Sequence, residues 1–132
     1  MNARTDYAAL LGRILLAVVF VPSGLSKITG FQGAVGYIAS SGFPMPEVGA
    51  VIGILCELGL GLLILAGFKT RSAALGMILF LVVITPIFHN FWAAPEAEKM
   101  GEQINFMKNV GIIAAYVFLA ALGPGRFSLD RR

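Results

Sequence analysis

The sequence is poor in the residues that carry most site chemistry. Its 132 residues include one cysteine, one histidine and one tryptophan. A lone cysteine, Cys56, forms no internal disulfide and no C-x-x-C redox pair, which excludes a thiol–disulfide exchange enzyme and leaves Cys56 as a small packing residue. A lone histidine, His89, excludes H-E-x-x-H and multi-histidine metal centres, and it excludes two-histidine haem ligation within the chain. No metal site is expected, and no cofactor is evident. No glycine-rich nucleotide loop follows a strand, and no acid stands at a matching depth beside His89 to build a Ser-His-Asp arrangement. Charge is scarce as well: 13% of residues are charged and 58% are hydrophobic, where a soluble domain carries about 25% charged residues.

What is present is apolar sequence in runs long enough to cross a bilayer. Four segments qualify, at residues 7–27, 48–67, 72–92 and 105–122. About 20 helical residues cover the ~30 Å hydrocarbon core, and helices satisfy their own backbone where no water can. The expectation is an all-α integral membrane protein, an antiparallel four-helix bundle forming a single domain over residues 1–132. The first segment is longer than a signal-peptide core and is followed by no A-x-A-like cleavage site, so it reads as a retained span. Residues 28–46 form an uncharged connector with Phe31, Val35, Tyr37, Ile38 and Phe43, partly interfacial, with a lid over the bundle mouth as the alternative.

Charge sets the orientation. Arg4, Arg13, Lys69, Arg71, Arg126, Arg131 and Arg132 fall at one end of such a bundle, while Lys27, Lys99 and Lys108 share the other with Glu47, Glu96, Glu98 and Glu102. The positive-inside rule then places both termini in the cytoplasm. The net charge of +3 follows from this topology. The basic residues flank spans and form no stripe, so the lipid bilayer is the expected partner and nucleic acid is not.

Glu57 is the only charge in the second span. A carboxylate near the bilayer centre costs roughly 2.5–3.5 kcal/mol on insertion scales, so it must face protein, water or a ligand. Gly49, Gly53, Glu57 and Gly61 repeat every four residues, and small residues at that spacing mark close helix contact, which turns Glu57 inward at ~14 Å depth. Arg13, Ala17, Phe20, Gly24 and Lys27 share one face of the first span. Arg13 is the expected counter-charge of Glu57, with Lys27 or Lys108 next, and a neutral Glu57 bonded to Tyr116 third. His89, Asn90, Trp92, Lys108 and Asn109 lie toward the end opposite the termini. Pro86 is expected to kink the third span near His89. Glu57, His89, Asn90, Lys108, Asn109, Lys27, Arg13, Trp92 and Tyr116 are therefore the pocket candidates. Each also has a plainer reading: snorkelling cations, an interfacial histidine, an aromatic-belt tryptophan and inter-helix glue.

Gly12-Arg13, Phe20-x-x-x-Gly24-x-x-Lys27, Glu57-x-Gly59-x-Gly61-Leu62, Gly67-Phe68-x-Thr70-Arg71, His89-Asn90-Phe91-Trp92 and Phe106-x-Lys108-Asn109 occur in that order. With these motifs the chain resembles the DoxX family of small bacterial inner-membrane proteins. The resemblance implies a four-helix bundle in the bacterial inner (cytoplasmic) membrane. It also implies a link to the DoxD and DoxA subunits of a thiosulfate:quinone oxidoreductase and to membrane oxidoreductase assemblies.

Two function classes follow, and the sequence leaves open whether the chain is an enzyme. In the first it is a quinone-linked redox component: His89, Lys108 or Asn109 bonds a quinone and Glu57 moves a proton, with electrons supplied by an oxidoreductase partner. In the second it is a non-catalytic scaffold subunit that docks a partner enzyme. A small lipid- or solute-binding carrier, working as a homo-oligomer, is a third reading.

Overall fold

A computed structural model describes residues 2–130; Arg131 and Arg132, counted above among the charges at the termini, lie outside them. The helices are α1 (Ala3–Thr29), α2 (Phe31–Ser40), α3 (Pro46–Ala66), α4 (Thr70–Phe88) and α5 (Glu96–Leu122), and the described residues contain no strand. α1, α3, α4 extended by the 3-10 turn Phe91–Ala93, and α5 are long and apolar enough to cross a membrane. The expected all-α membrane bundle is therefore observed. Large apolar side chains such as Leu11, Val18, Leu79, Val82 and Phe118 face outward, which suits a lipid surround and would be costly in water.

α1 turns inward the stripe that its spacing predicts: Arg13, Ala17, Phe20 and Gly24 are buried. α3 opens on Pro46, whose missing N–H is no loss in a first turn, and closes on Gly67 in the left-handed region at φ 67°. Between these ends α3 is not α-helical throughout. Leu55–Leu60 form a π-helical segment centred on Glu57. In an α-helix a four-residue spacing drifts by about 40° per step. The wider π turn reverses that drift, so Gly53, Glu57 and Gly61 all stay turned toward α1. Gly53 lies beside the Lys27 stem and Gly61 beside Val21.

The closest α1–α3 approach falls on the π segment. A Cβ on Gly24 would sit 2.7 Å from both the backbone nitrogen and the Cβ of Leu58. Backbone cannot swing aside as a long side chain can. Gly24→Ala should therefore lower stability by about 1–3 kcal/mol despite alanine's better helix propensity. Thermal unfolding in detergent measures this, and an unchanged or raised midpoint would refute the contact.

The half of the bundle nearer the termini holds the core: Phe20, Ile64, Ala73, Ala74, Met77, Leu81, Tyr116 and Leu119. α1 and α5 meet here through the Phe20 and Tyr116 rings, whose centroids lie 5.9 Å apart. Polar bonds seal this end. Arg13, 1% exposed, donates from Nε to the Pro124 carbonyl (3.1 Å) and from Nη1 to those of Leu65 (2.8 Å) and Ile64 (3.4 Å), while Nη2 reaches the Phe127 carbonyl. Asp130 accepts from Lys69 N, Thr70 N and Thr70 Oγ1 at the start of α4. Asp6 accepts from Arg126 N, and Arg71 donates to the Ala120 and Ala121 carbonyls at the end of α5. The tail after α5 is thus laced across the bundle, and both termini lie at one end.

Each span begins before the residue that hydropathy gives it, at Ala3, Pro46, Thr70 and Glu96. The fourth span begins at Glu96 and not at 105, because helix hydrogen bonding continues through polar residues that hydropathy leaves out. The third span's α-helix ends at Phe88 and not at 92. Pro86 lies in its last turn, and the chain leaves the helix at His89 where a kink was expected. The connector contains α2, which folds back on α3 and α1 with Ile38 buried and Tyr37 stacked on Phe88 at 5.6 Å.

Candidate functional site

The open half of the bundle contains a cavity of about 560 Å³. Its geometry follows from where α3 packs. The first turns of α3, Pro46–Ile54, pack on α1 and α2, whereas the π segment and the last turns of α3 pack on α4. A gap is left between the upper part of α3 and α4. Ile52 on one side and Leu79 and Val83 on the other line the cavity and are also exposed on the outer surface. The cavity therefore opens sideways at the depth of the hydrocarbon core. Tyr37, Ile38 and Phe43 of the connector line the cavity at its end away from the termini.

The polar end of the cavity is built from four helices. Lys27 Nζ on α1 lies 2.6 Å from Glu57 Oε1 on α3 and donates to Ser23 Oγ at 3.1 Å. The carboxylate is 9% exposed and the lysine 27%. From α5, Lys108 and Asn109 reach the wall, and from the end of α4, His89. Asn109 is buried and donates from Nδ2 to Thr85 Oγ1 at 3.1 Å. His89 Nδ1 lies 2.8 Å from Glu102 Oε2. Burial, and then the Glu102 charge, push the Tyr37 phenol above its ordinary pKa, so its hydroxyl keeps its proton.

Of the nine candidates, Lys27, Glu57, His89, Lys108 and Asn109 line this one cavity. The other four do not. Arg13 is not the partner of Glu57: its guanidinium turns to the carbonyls at the termini end, where four acceptors hold it. Lys27, ranked behind it, takes the carboxylate, because its stem lies along Gly53, one α-helical turn before Glu57. Tyr116 makes no bond to Glu57 either. Its ring is fully buried against Phe20, and its hydroxyl has no hydrogen-bond partner among the described residues. Asn90 and Trp92 are exposed; the indole packs edge-on with Phe91 and Phe106.

The expectation that no acid stands beside His89 is overturned. Helix α5 starts nine residues earlier than hydropathy suggests, and those added turns carry Glu102 to the imidazole. The acidic residues before 105 were legible as a polar stretch, but not as helix. The π segment gave no sequence signal beyond the four-residue glycine spacing around Glu57.

The family model described as DoxX matches residues 8–90, from α1 to the end of α4. The chain is 40% identical to Inner membrane protein YphA of Escherichia coli over 93% of its own length and 88% of the relative. It is 37% identical to Inner membrane protein YqjF of the same organism over 99% and 95%. A Surfeit locus protein 4 homolog of Schizosaccharomyces pombe is 26% identical over 99% of this chain and 39% of its own length. No solved structure matches.

Proposed function

This chain belongs to the DoxX family and is a multi-pass inner-membrane protein, and from that premise we propose that its cavity binds a lipid-soluble quinone on behalf of a membrane oxidoreductase. The observation that carries the reading is the shape of the cavity. It is apolar along Ile52, Leu79, Phe80 and Val83, open to lipid between α3 and α4, and polar where Lys27, Glu57, His89, Lys108 and Asn109 line it together with Ser23 and Tyr37. A ligand that diffuses in the bilayer enters sideways and keeps its tail in the gap. A head that accepts hydrogen bonds meets the donors at the polar end.

Within this reading the chain's own residues bind, orient and move protons. Lys27 has a donor beyond those given to Glu57 and Ser23. Glu57, already bonded to that lysine, is the proton carrier beside the head. Electrons come from a partner protein. With both termini in the cytoplasm, as the basic residues at that end favour, the polar head would sit in the half of the membrane away from the cytoplasm.

The Gly49/Gly53/Gly61 face, which a scaffold would offer to a partner, packs inside the chain against Phe43, Lys27 and Val21; the lack of a redox group in the sequence still fits a scaffold. The quinone reading is tested with protein in nanodiscs titrated with a short-tailed quinone. Saturable binding is expected, and Leu79→Trp, which fills the gap, should weaken it about tenfold. Absence of saturable binding, or full affinity in the tryptophan variant, would remove it.

A further inference from the structure

The charges on the cavity wall do not cancel. Lys27 and Glu57 neutralise each other at 2.6 Å. The charge that His89 can carry is answered by Glu102, which stands outside the lining. Lys108 lines the same cavity and has no hydrogen-bond or ion-pair partner among the described residues. Lys108 is exposed and also borders the outer groove of Met100, Gln103, Ile104 and Met107, so its ammonium stands at the rim of the cavity as a positive charge that no residue of the wall answers.

Lys108 offers three donors and Lys27 one more, and Asn109 has a second N–H beyond the one given to Thr85. On the acceptor side the lining supplies the second oxygen of Glu57, the carbonyl of Asn109, the hydroxyls of Ser23 and Tyr37 and the second ring nitrogen of His89. The imbalance lies in the charge, and a negatively charged acceptor on an incoming head answers Lys108.

We propose that the cavity selects single-chain amphiphiles whose head is a monoanionic oxygen group. The head pairs with Lys108 near Lys27 and Asn109, and the chain lies between Ile52 and Leu79. This deepens the quinone reading and rests on its claim that an amphiphile enters from the bilayer. Two sources supply such a head: an ionised hydroxyquinone and a fatty-acid carboxylate. A neutral quinone carbonyl also accepts hydrogen bonds, but it leaves the Lys108 charge unanswered. Charge-assisted hydrogen bonds are about twice as strong as neutral ones.

The test uses the full chain in nanodiscs of neutral phosphatidylcholine and two matched pairs of probes. One pair is a 2-hydroxy-3-alkyl-1,4-naphthoquinone and its methyl ether; the other is palmitate and methyl palmitate. Within a pair only the charge of the head changes. The anionic member is expected to bind about tenfold more tightly. Lys108→Met should bring the ratio near one and Lys108→Arg should keep it, while binding of the neutral member by the same sample reports an intact cavity. Equal affinities within both pairs, or a ratio untouched by Lys108→Met, overturn the proposal. If both naphthoquinones bind equally, the quinone reading stands and the charge selection falls. If palmitate alone binds through Lys108, the charge selection stands and the quinone reading falls. If no probe binds, both fall.

Discussion

Lys27→Met should destabilise the bundle by about 3 kcal/mol or more, and Glu57→Gln by less. Removing one partner of a buried ion pair costs about 3–5 kcal/mol, because it strands the other charge. The two partners are not stranded alike. Glu57 is fixed inward by the π segment, 9% exposed, near the middle of its span. Lys27 lies two residues from the end of α1, is 27% exposed and has a flexible stem that can carry an unpaired ammonium to the membrane surface. The asymmetry follows from geometry and not from the charges. In the double variant Lys27→Met/Glu57→Met no charge is stranded, and most of the lost stability should return. A double-mutant cycle in detergent, read by thermal or denaturant unfolding, isolates the coupling. A coupling below about 0.5 kcal/mol would mean that the pair contributes nothing as a pair.

The second large effect is expected at the other end of the molecule. Arg13→Met should cost about 3–5 kcal/mol and free the tail after α5. The fork of Arg13 satisfies carbonyls of Ile64 and Leu65, in the last turn of α3, together with Pro124 and Phe127 in the tail. The Ile64 carbonyl also accepts from Gly67 N at 3.2 Å, so the loss falls on Leu65, Pro124 and Phe127, and each buried acceptor left bare costs about 1–3 kcal/mol. Methionine fills the volume and supplies no donor. Lysine supplies a point charge without the planar fork, so Arg13→Lys should recover only part of the loss. Trypsin gives a second readout: cleavage after Arg126 should be slow in the parent protein, where Asp6 holds the Arg126 amide, and fast in Arg13→Met. A variant with an unchanged midpoint and a protected tail would show that the clamp is dispensable.

These two residues also mark where the sequence was readable. Arg13 and Lys27 fall on one helical face, and that much follows from spacing alone. Spacing does not say which of them meets Glu57. The answer depends on backbone acceptors, and carbonyls freed at the end of α3 and along the tail carry no sequence label. The inward turn of Glu57, its glycine stripe and the four spans came from periodicity and hydropathy, which report burial directly. The π turn, the packing of α2 on α3 and the His89–Glu102 pair come from tertiary contact or from helix that continues through polar residues. Neither leaves a hydropathy signal. The motif Gly67-Phe68-x-Thr70-Arg71 now has local causes: Gly67 takes the left-handed turn, Thr70 meets Asp130, and Arg71 caps α5.

The sideways opening between α3 and α4 has a consequence for how any affinity at this site is to be expressed. A gap that faces hydrocarbon is never solvated by water; in a bilayer an acyl chain of the surrounding lipid occupies it whenever nothing else does. Binding is then an exchange of one chain for another in two dimensions. Its natural scale is the mole fraction of ligand among lipids, and the same protein will report different apparent constants in membranes of different composition or lipid content.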